Sequence, residues 1–322
     1  MFSSRLAAKR TVVVVAALLT TVLGSACSSQ QNSDVVAISA NLETSTTTET
    51  VIEVTTTTAA LAVDEAPGSD YPQAIISLSA TATEMLFAIG AGDQVIAVDE
   101  YSTYPAEAPV TNLSGFTPNV EAIAEYEPDL VVISYDPGDL VVGLDLLGIE
   151  VLVQGTASSL EGTYFQISEL GEKTGHSEAA EELNESIASD LASLAEDPVG
   201  TGLTYFHEVD NTLYTATSST FIGQLYSLLG LENIADPADD QGFGYPQLSP
   251  EYIISANPDL IFLADAVWGE SAETLAERPG WAELTAIQNN WVVDLDETSG
   301  RWGPRVVDFL TQIHSAITDL TN

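Results

Sequence analysis

The feature that most constrains this chain is a unit that occurs twice, 130 residues apart. Each copy opens on a residue able to cap a helix, Asn119 and Ser249, followed by a glutamate in the first turn, Glu121 and Glu251. An isoleucine, Ile123 and Ile253, anchors a short apolar face. Pro128-Asp129-Leu130 and Pro258-Asp259-Leu260 then stop the helix, because the residue before a proline avoids the helical region. The apolar runs 130–133 and 260–263 follow without a break, the pattern of strands covered on both faces. A cap, a glutamate, an isoleucine and Pro-Asp-Leu in one register predict two α/β lobes of similar plan. A single repeated pair is too few for a solenoid.

Elsewhere the periodicities fill in the same plan. In the first lobe 74–78 and 95–98 read as strands, and Thr81-Ala82-Thr83-Glu84 has capping-box spacing at the start of a helix over 82–89. Gly90-Ala91-Gly92 follows that helix instead of opening one and lacks a third glycine, so it is no dinucleotide fingerprint. Another strand falls in 148–153. Ala180, Leu183, Ile187, Leu191 and Leu194 step by three or four residues and predict a helix over 177–196, roughly 30 Å long, between the lobes. The second lobe has strands at 202–206 and 291–293, a helix over 221–229, and a last helix over 304–320.

At the start, Arg5, Lys9 and Arg10 precede an apolar run over 11–23, then Gly24-Ser25-Ala26 and the only cysteine, Cys27. A basic head, a short apolar core and small residues make an export signal, and the run is too short to span a bilayer well. The stretch resembles a bacterial lipoprotein signal, which implies that Cys27 is lipidated and begins the mature chain. The other reading of Cys27 is a buried free thiol. Residues 28–69 are rich in Ser and Thr and lack aromatics, as in a flexible tether. The domain plan is therefore signal 1–27, tether 28–69, N-terminal lobe 70–158, helical linker 159–199 and C-terminal lobe 200–322. With one cysteine there is no internal disulfide, so the fold rests on its core.

The formal net charge is −41, and of seven basic residues only Lys173, Arg278, Arg301 and Arg305 lie beyond Cys27. Such a surface repels nucleic acid and anionic headgroups, and excludes nucleic acid as a partner. Solubility in a saline medium accounts for the acidity; attraction of cationic ligands is the other reading.

The sequence 75–78 followed by Thr83-Glu84, then Tyr101-Ser102-Thr103-Tyr104-Pro105, resembles the substrate-binding proteins of iron-siderophore and cobalamin ABC importers. Glu121 with Pro128-Asp129-Leu130, Gly280-Trp281 and Gly303-Pro304-Arg305 carry the same resemblance, which covers roughly 73–318. It implies two Rossmann-like α/β lobes joined by one long helix, with a ligand cleft between them. It also implies an extracytoplasmic monomer, lipid-anchored at the outer face of the cytoplasmic membrane. Such a protein delivers an iron chelate, heme or corrinoid to a dimeric ABC transporter permease with its ATPase. By that resemblance Tyr101 meets a corrin ring, and Glu121 and Glu251 meet arginines of the permease.

Read from the residues, the ligand surface is aromatic. Tyr101, Tyr104, Phe116, Tyr135, Tyr214, Phe243, Tyr245, Trp268 and Trp302 lie in or beside loops that follow strands or precede helices. Core packing is the alternative for any one of them, Phe116 and Phe221 above all. As a set they suit a large flat ligand. Arg301 and Arg305 flank Trp302; Arg301 is assigned to the ligand and Arg305 to a carboxylate or carbonyl of the fold. No Gly-x-Ser-x-Gly elbow, His-Glu-x-x-His pair or phosphate loop is present, so no enzyme and no cofactor is expected. Two alternatives remain open: a manganese or zinc carrier using His207 and Glu208 with Asp210, and a secreted hydrolase, which turnover of ester or glycoside substrates distinguishes.

Overall fold

The computed structural model describes residues 70–321. The export signal, Cys27 and the tether over 28–69 lie outside the described residues. Among the described residues no helix is long and apolar enough to cross a membrane.

The N-terminal sheet holds five parallel strands, β1 (Ile75–Leu78), β2 (Val95–Asp99), β3 (Val110–Leu113), β4 (Leu130–Ile133) and β5 (Glu150–Val153), in the order β3-β2-β1-β4-β5. Helices α1 (Ala80–Ala88), α2 (Val120–Ala124) and α3 (Leu140–Asp145) connect them. The C-terminal sheet holds β6 (Thr204–Glu208), β7 (Glu232–Asn233), β8 (Leu260–Leu263) and β9 (Val292–Asp294), all parallel, in the order β7-β6-β8-β9. Between the sheets run α4 (Leu160–Thr174) and α5 (Ser177–Ala195). The expected long helix is the 19-residue α5. Beside it packs α4, whose separate identity periodicity did not show. Gly175, at φ +81, turns the chain between them, and Asn184 of α5 donates to Tyr164 O and Ser168 Oγ of α4, each at 3.0 Å. Helices α6 (Phe221–Leu228), α7 (Pro250–Ala256), α8 (Ala272–Glu277), α9 (Thr285–Gln288) and α10 (Val306–Thr321) complete the chain.

The repeat keeps its register in three dimensions. Asn119 and Ser249 cap α2 and α7 by accepting from Ala122 N and Tyr252 N. Both helices end ahead of the proline, and the residue before it turns left-handed in each copy: Glu127 at φ 51 and Asn257 at φ 47. The two aspartates carry a role the sequence did not show. Asp129 Oδ2 accepts from Gln73 N at 2.7 Å and Ala74 N at 3.0 Å, tying the entry of β1 to β4. Asp259 Oδ2 accepts from Thr204 N and Thr204 Oγ1, each at 2.9 Å, tying β6 to β8.

One expectation is corrected. The helix predicted from Thr81 starts earlier, with Ser79 as its cap accepting from Ala82 N. Glu84 therefore sits inside α1, 3% exposed, and closes no capping box. Its carboxylate has a different partner, described below.

Each sheet has an apolar layer of its own, one containing Ile76, Ile123 and Val131, the other Phe206, Ile253 and Ile261. A third cluster joins them. Met85 and Leu86 of α1, Ile187 and Leu191 of α5, Tyr226 and Phe262 of the C-terminal lobe, and Phe309 and Ile313 of α10 belong to one continuous core.

Candidate functional site

In parallel α/β sheets ligands collect beyond the C-terminal ends of the strands, where the strand order reverses. That reversal falls between β1 and β4 in one sheet and between β6 and β8 in the other. Both places open into hollows. The first, of about 270 Å³, is lined by Ser79 and Thr81 after β1, Asp99 and Tyr101 at the end of β2, Phe116 after β3, and Tyr135 after β4. The second, of about 290 Å³, is lined by His207 and Val209 at the end of β6, Phe221 and Ile222 of α6, Tyr245, and Trp268 after β8. Arg301 and Trp302 line both, so the hollows adjoin as one cleft.

The first wall is a small aromatic assembly. Tyr101 meets Phe116 edge to face at 5.2 Å, and Tyr135 Oη donates to Phe116 O at 2.6 Å. Facing residues are solvent-open as well, with Trp268 78% exposed. Trp302 is fixed: its Nε1 donates to Gln166 Oε1 at 2.9 Å and its carbonyl accepts from Thr163 Oγ1 at 2.8 Å, both on α4. Thus Tyr101, Phe116, Tyr135, Tyr245, Trp268, Arg301 and Trp302 come together. Phe221, read as a packing residue, also reaches the cleft.

Three of the sequence-predicted ligand residues are not among those lining the two hollows. Tyr104 stacks under the Arg305 guanidinium at 4.2 Å and lines a separate hollow with Pro105 and Phe87. Tyr214 is taken up in an antiparallel bridge with Gln247, and Phe243 projects from a turn held by Asp239. A loop position after a strand does not fix which side of the loop a ring takes.

Among the described residues, every Arg and Lys lies within ion-pair distance of a carboxylate. Arg305 Nη2 and Nε donate to Glu84 Oε1 at 2.5 Å and Oε2 at 3.1 Å, and its Nη1 reaches Glu297. Arg301 Nε is buried without a well-formed hydrogen bond, 3.4 Å from Glu84 Oε1. Glu84 thus serves both arginines, and Arg305 holds the fold, as expected. Lys173 pairs with Glu150. Arg278 grips Glu208 through both carboxylate oxygens, at 2.7 and 2.6 Å, and reaches Glu270 at 2.8 Å.

This last group removes the basis for His207 and Glu208 as metal ligands. Adjacent strand residues point to opposite faces. His207 Nδ1 lies 2.9 Å from Tyr226 Oη, and burial pulls its pKa down to about 4. Glu208 faces Arg278 instead, and Asp210 accepts from Thr212. Among the described residues no group of three His, Cys, Asp or Glu is arranged to hold a metal ion.

Glu121 and Glu251 are exposed, each in the first turn of its helix. Because α2 and α7 connect parallel strands, they run antiparallel to them. Both carboxylates therefore stand level with the strand ends that form the cleft.

The two lobes and the cleft at their strand ends define a two-lobe solute-binding protein. The periplasmic binding protein family model matches residues 75–298, and the chain belongs to that family. An ABC transporter substrate-binding lipoprotein of Bacillus subtilis is 30% identical over 274 residues, covering 80% of this chain and 85% of its own length. A cobalamin-binding protein of Halobacterium salinarum is 28% identical, over 78% of this chain and 70% of its own. Among solved structures, the vitamin B12 binding protein of Vibrio cholerae aligns with a TM-score of 0.61 at 25% identity, covering 78% of this chain and 98% of its own. A heme-binding protein of Roseiflexus, at 22% identity, shares the fold with a TM-score of 0.67, covering 78% and 99%. The chain is thus the solute-binding component of an ABC importer, working outside the cytoplasm with a permease and ATPase.

The Arg278 cluster gives a pH signature. Burial pushes Glu208 up to about 7 against the opposing pull of Arg278, and burial also raises Asp265, whose two carboxylate oxygens are enclosed without a hydrogen bond. Carboxyl groups raised in the folded state hold protons that the unfolded chain releases. For Glu208 the resulting stabilisation is complete below the unfolded value of 4.5 and is lost as pH rises through about 7; Asp265, raised from 3.8, moves in the same direction. Asp265→Asn is therefore expected to melt several degrees above wild type at pH 8, with the gap narrowing as pH falls; a shift of about 2–4 °C accompanies each kcal/mol in a domain this size. His207 titrates in the opposite sense, and comparing the two proteins at each pH cancels it. Equal melting temperatures at pH 8 count against burial raising the Asp265 carboxyl.

Proposed function

We propose that the cleft takes a large, flat metal chelate, an iron–siderophore, a heme or a cobalamin-like corrinoid, and that the protein hands it to its import permease. The observation that carries this reading is the aromatic cleft itself: Tyr101, Phe116 and Tyr135 on one side, Tyr245, Trp268 and Trp302 on the other. Exposed rings cover a planar face at low entropic cost, and aromatic anchors dominate such binding. The cobalamin and vitamin B12 binding named for relatives points the same way. Arg301, which also faces Glu84, is the cation that lines the cleft. The test is a tryptophan-fluorescence titration with cyanocobalamin, heme and several ferric siderophores. One of them is expected to bind tightly, and Trp268→Ala to weaken it at least tenfold, about 1.4 kcal/mol. Tight binding of a sugar or amino acid instead defeats the reading.

Glu121 and Glu251 orient the protein on a permease built of two similar halves. Matched exposed charges steer and register partners more than they add affinity. Replacing both by lysine is expected to leave ligand affinity near normal and abolish uptake. Undiminished uptake means that the two glutamates are ordinary surface charge.

Cys27 carries the lipid that holds the protein at the outer face of the cytoplasmic membrane, with 28–69 as its tether. Cys27→Ser is expected to appear in the medium after fractionation. If that variant stays with the membranes, the anchor lies elsewhere.

A further inference from the structure

Among the residues that line the two hollows, Asp99 is the one carboxylate and Arg301 the one cation. Asp99 is 3% exposed. Its Oδ1 is satisfied from the protein side: Ser102 Oγ donates at 2.7 Å and Tyr101 N at 3.2 Å. Ser102 is itself held by Thr83, whose hydroxyl lies 3.1 Å from Ser102 Oγ and 2.9 Å from Ser77 Oγ. Asp99 lines the first hollow, and its Oδ2 lies beside Gly115. A Cβ on Gly115 would stand 2.4 Å from Oδ2 and 2.7 Å from Leu78 O, so this glycine leaves the space the carboxylate needs.

We propose that Asp99 is a specificity-determining residue: it selects ligands whose rim presents hydrogen-bond donors, carboxamides above all, and rejects those whose rim presents carboxylates. The inference rests on the chelate reading of the cleft. A carboxylate set in the cavity wall accepts hydrogen bonds from donors brought to it, and such charge-assisted bonds are the stronger kind. A ligand carboxylate brought there meets like charge. That repulsion is stronger where the cleft excludes water. Arg301 does not reverse the preference, because Glu84 already stands 3.4 Å from its Nε. The net charge of −41 acts in the same direction at longer range. Amide N–H groups suffer neither penalty. The geometry therefore separates two kinds of flat macrocycle of equal size, one edged with carboxamides and one edged with acids.

The test uses two probes that share a corrin ring, dicyanocobinamide with its amide arms and dicyanocobyrinic acid with free carboxylates. Tryptophan fluorescence gives both affinities on the purified protein at neutral pH. Wild type is expected to bind the amide probe at least tenfold more tightly, the scale of one hydrogen bond to a charged group. Asp99→Asn keeps an acceptor for Ser102 and removes the charge; it is expected to bring the two affinities within about threefold, chiefly by gain for the acid. Asp99→Ser, smaller and also uncharged, is expected to do the same. A wild-type ratio near one overturns the assignment whatever the variants do, and so does a wild-type preference that persists in both folded variants. Either result leaves the cleft reading standing. Failure of wild type to bind either corrin, heme or ferric siderophores defeats the cleft reading, and this assignment with it.

Discussion

Glu84 is where the two lobes are held in register. It lies inside a helix of the first lobe, and its carboxylate is met by Arg301 and Arg305 from the far end of the chain. A carboxylate so deeply buried is tolerable only with such partners, and removing one side of a buried pair costs about 3–5 kcal/mol because the other charge stays enclosed. The bridge also places the cleft. Arg301 and Trp302 follow a short turn over 297–300, and Trp302 is pinned to α4 by two hydrogen bonds. The segment shared by both hollows is thus fixed at one end by charge and at the other by the linker.

Among the described residues the three arginines, unlike Lys173, are largely enclosed. Arg278 does for the second lobe what Arg305 does for the interface, drawing together Glu208 and Glu270 under the edge of the cleft. The acidic excess is left on the surface, where water and counterions screen it. Inside the cleft the balance is different: one carboxylate, one arginine already facing Glu84, and a neutral His207. The site is an aromatic surface with sparse, well-placed polar atoms.

The fold was legible wherever the chain obeyed a period. Leu130 to Ile133 and Leu260 to Leu263 are buried throughout, as unbroken apolar runs require, and α5 follows its three-and-four spacing. The matched glutamates, caps and prolines kept their places. What was not legible depends on contacts distant in sequence. Nothing local told that Ser79 would cap α1 in place of Thr81 and leave Glu84 for two arginines more than 200 residues on. Nothing local told that Asp129 and Asp259 close their sheets, or that Asp99 at a strand end faces a cavity while Tyr104, in the same motif, faces Arg305. Direction of a loop side chain is decided by what else arrives there.

The core that runs from Met85 through α5 to Phe309 crosses between the lobes without a gap. Chain segments pass between the lobes through α4 and α5 and pack together again through α10. Swinging the lobes apart would expose that apolar layer at roughly 25 cal/mol for each Å² opened. The cleft is accordingly set before a ligand arrives. Little of the affinity is then consumed in moving domains, so selectivity resides in the rim groups that already stand in place, and vacating the site depends on an outside partner levering the walls.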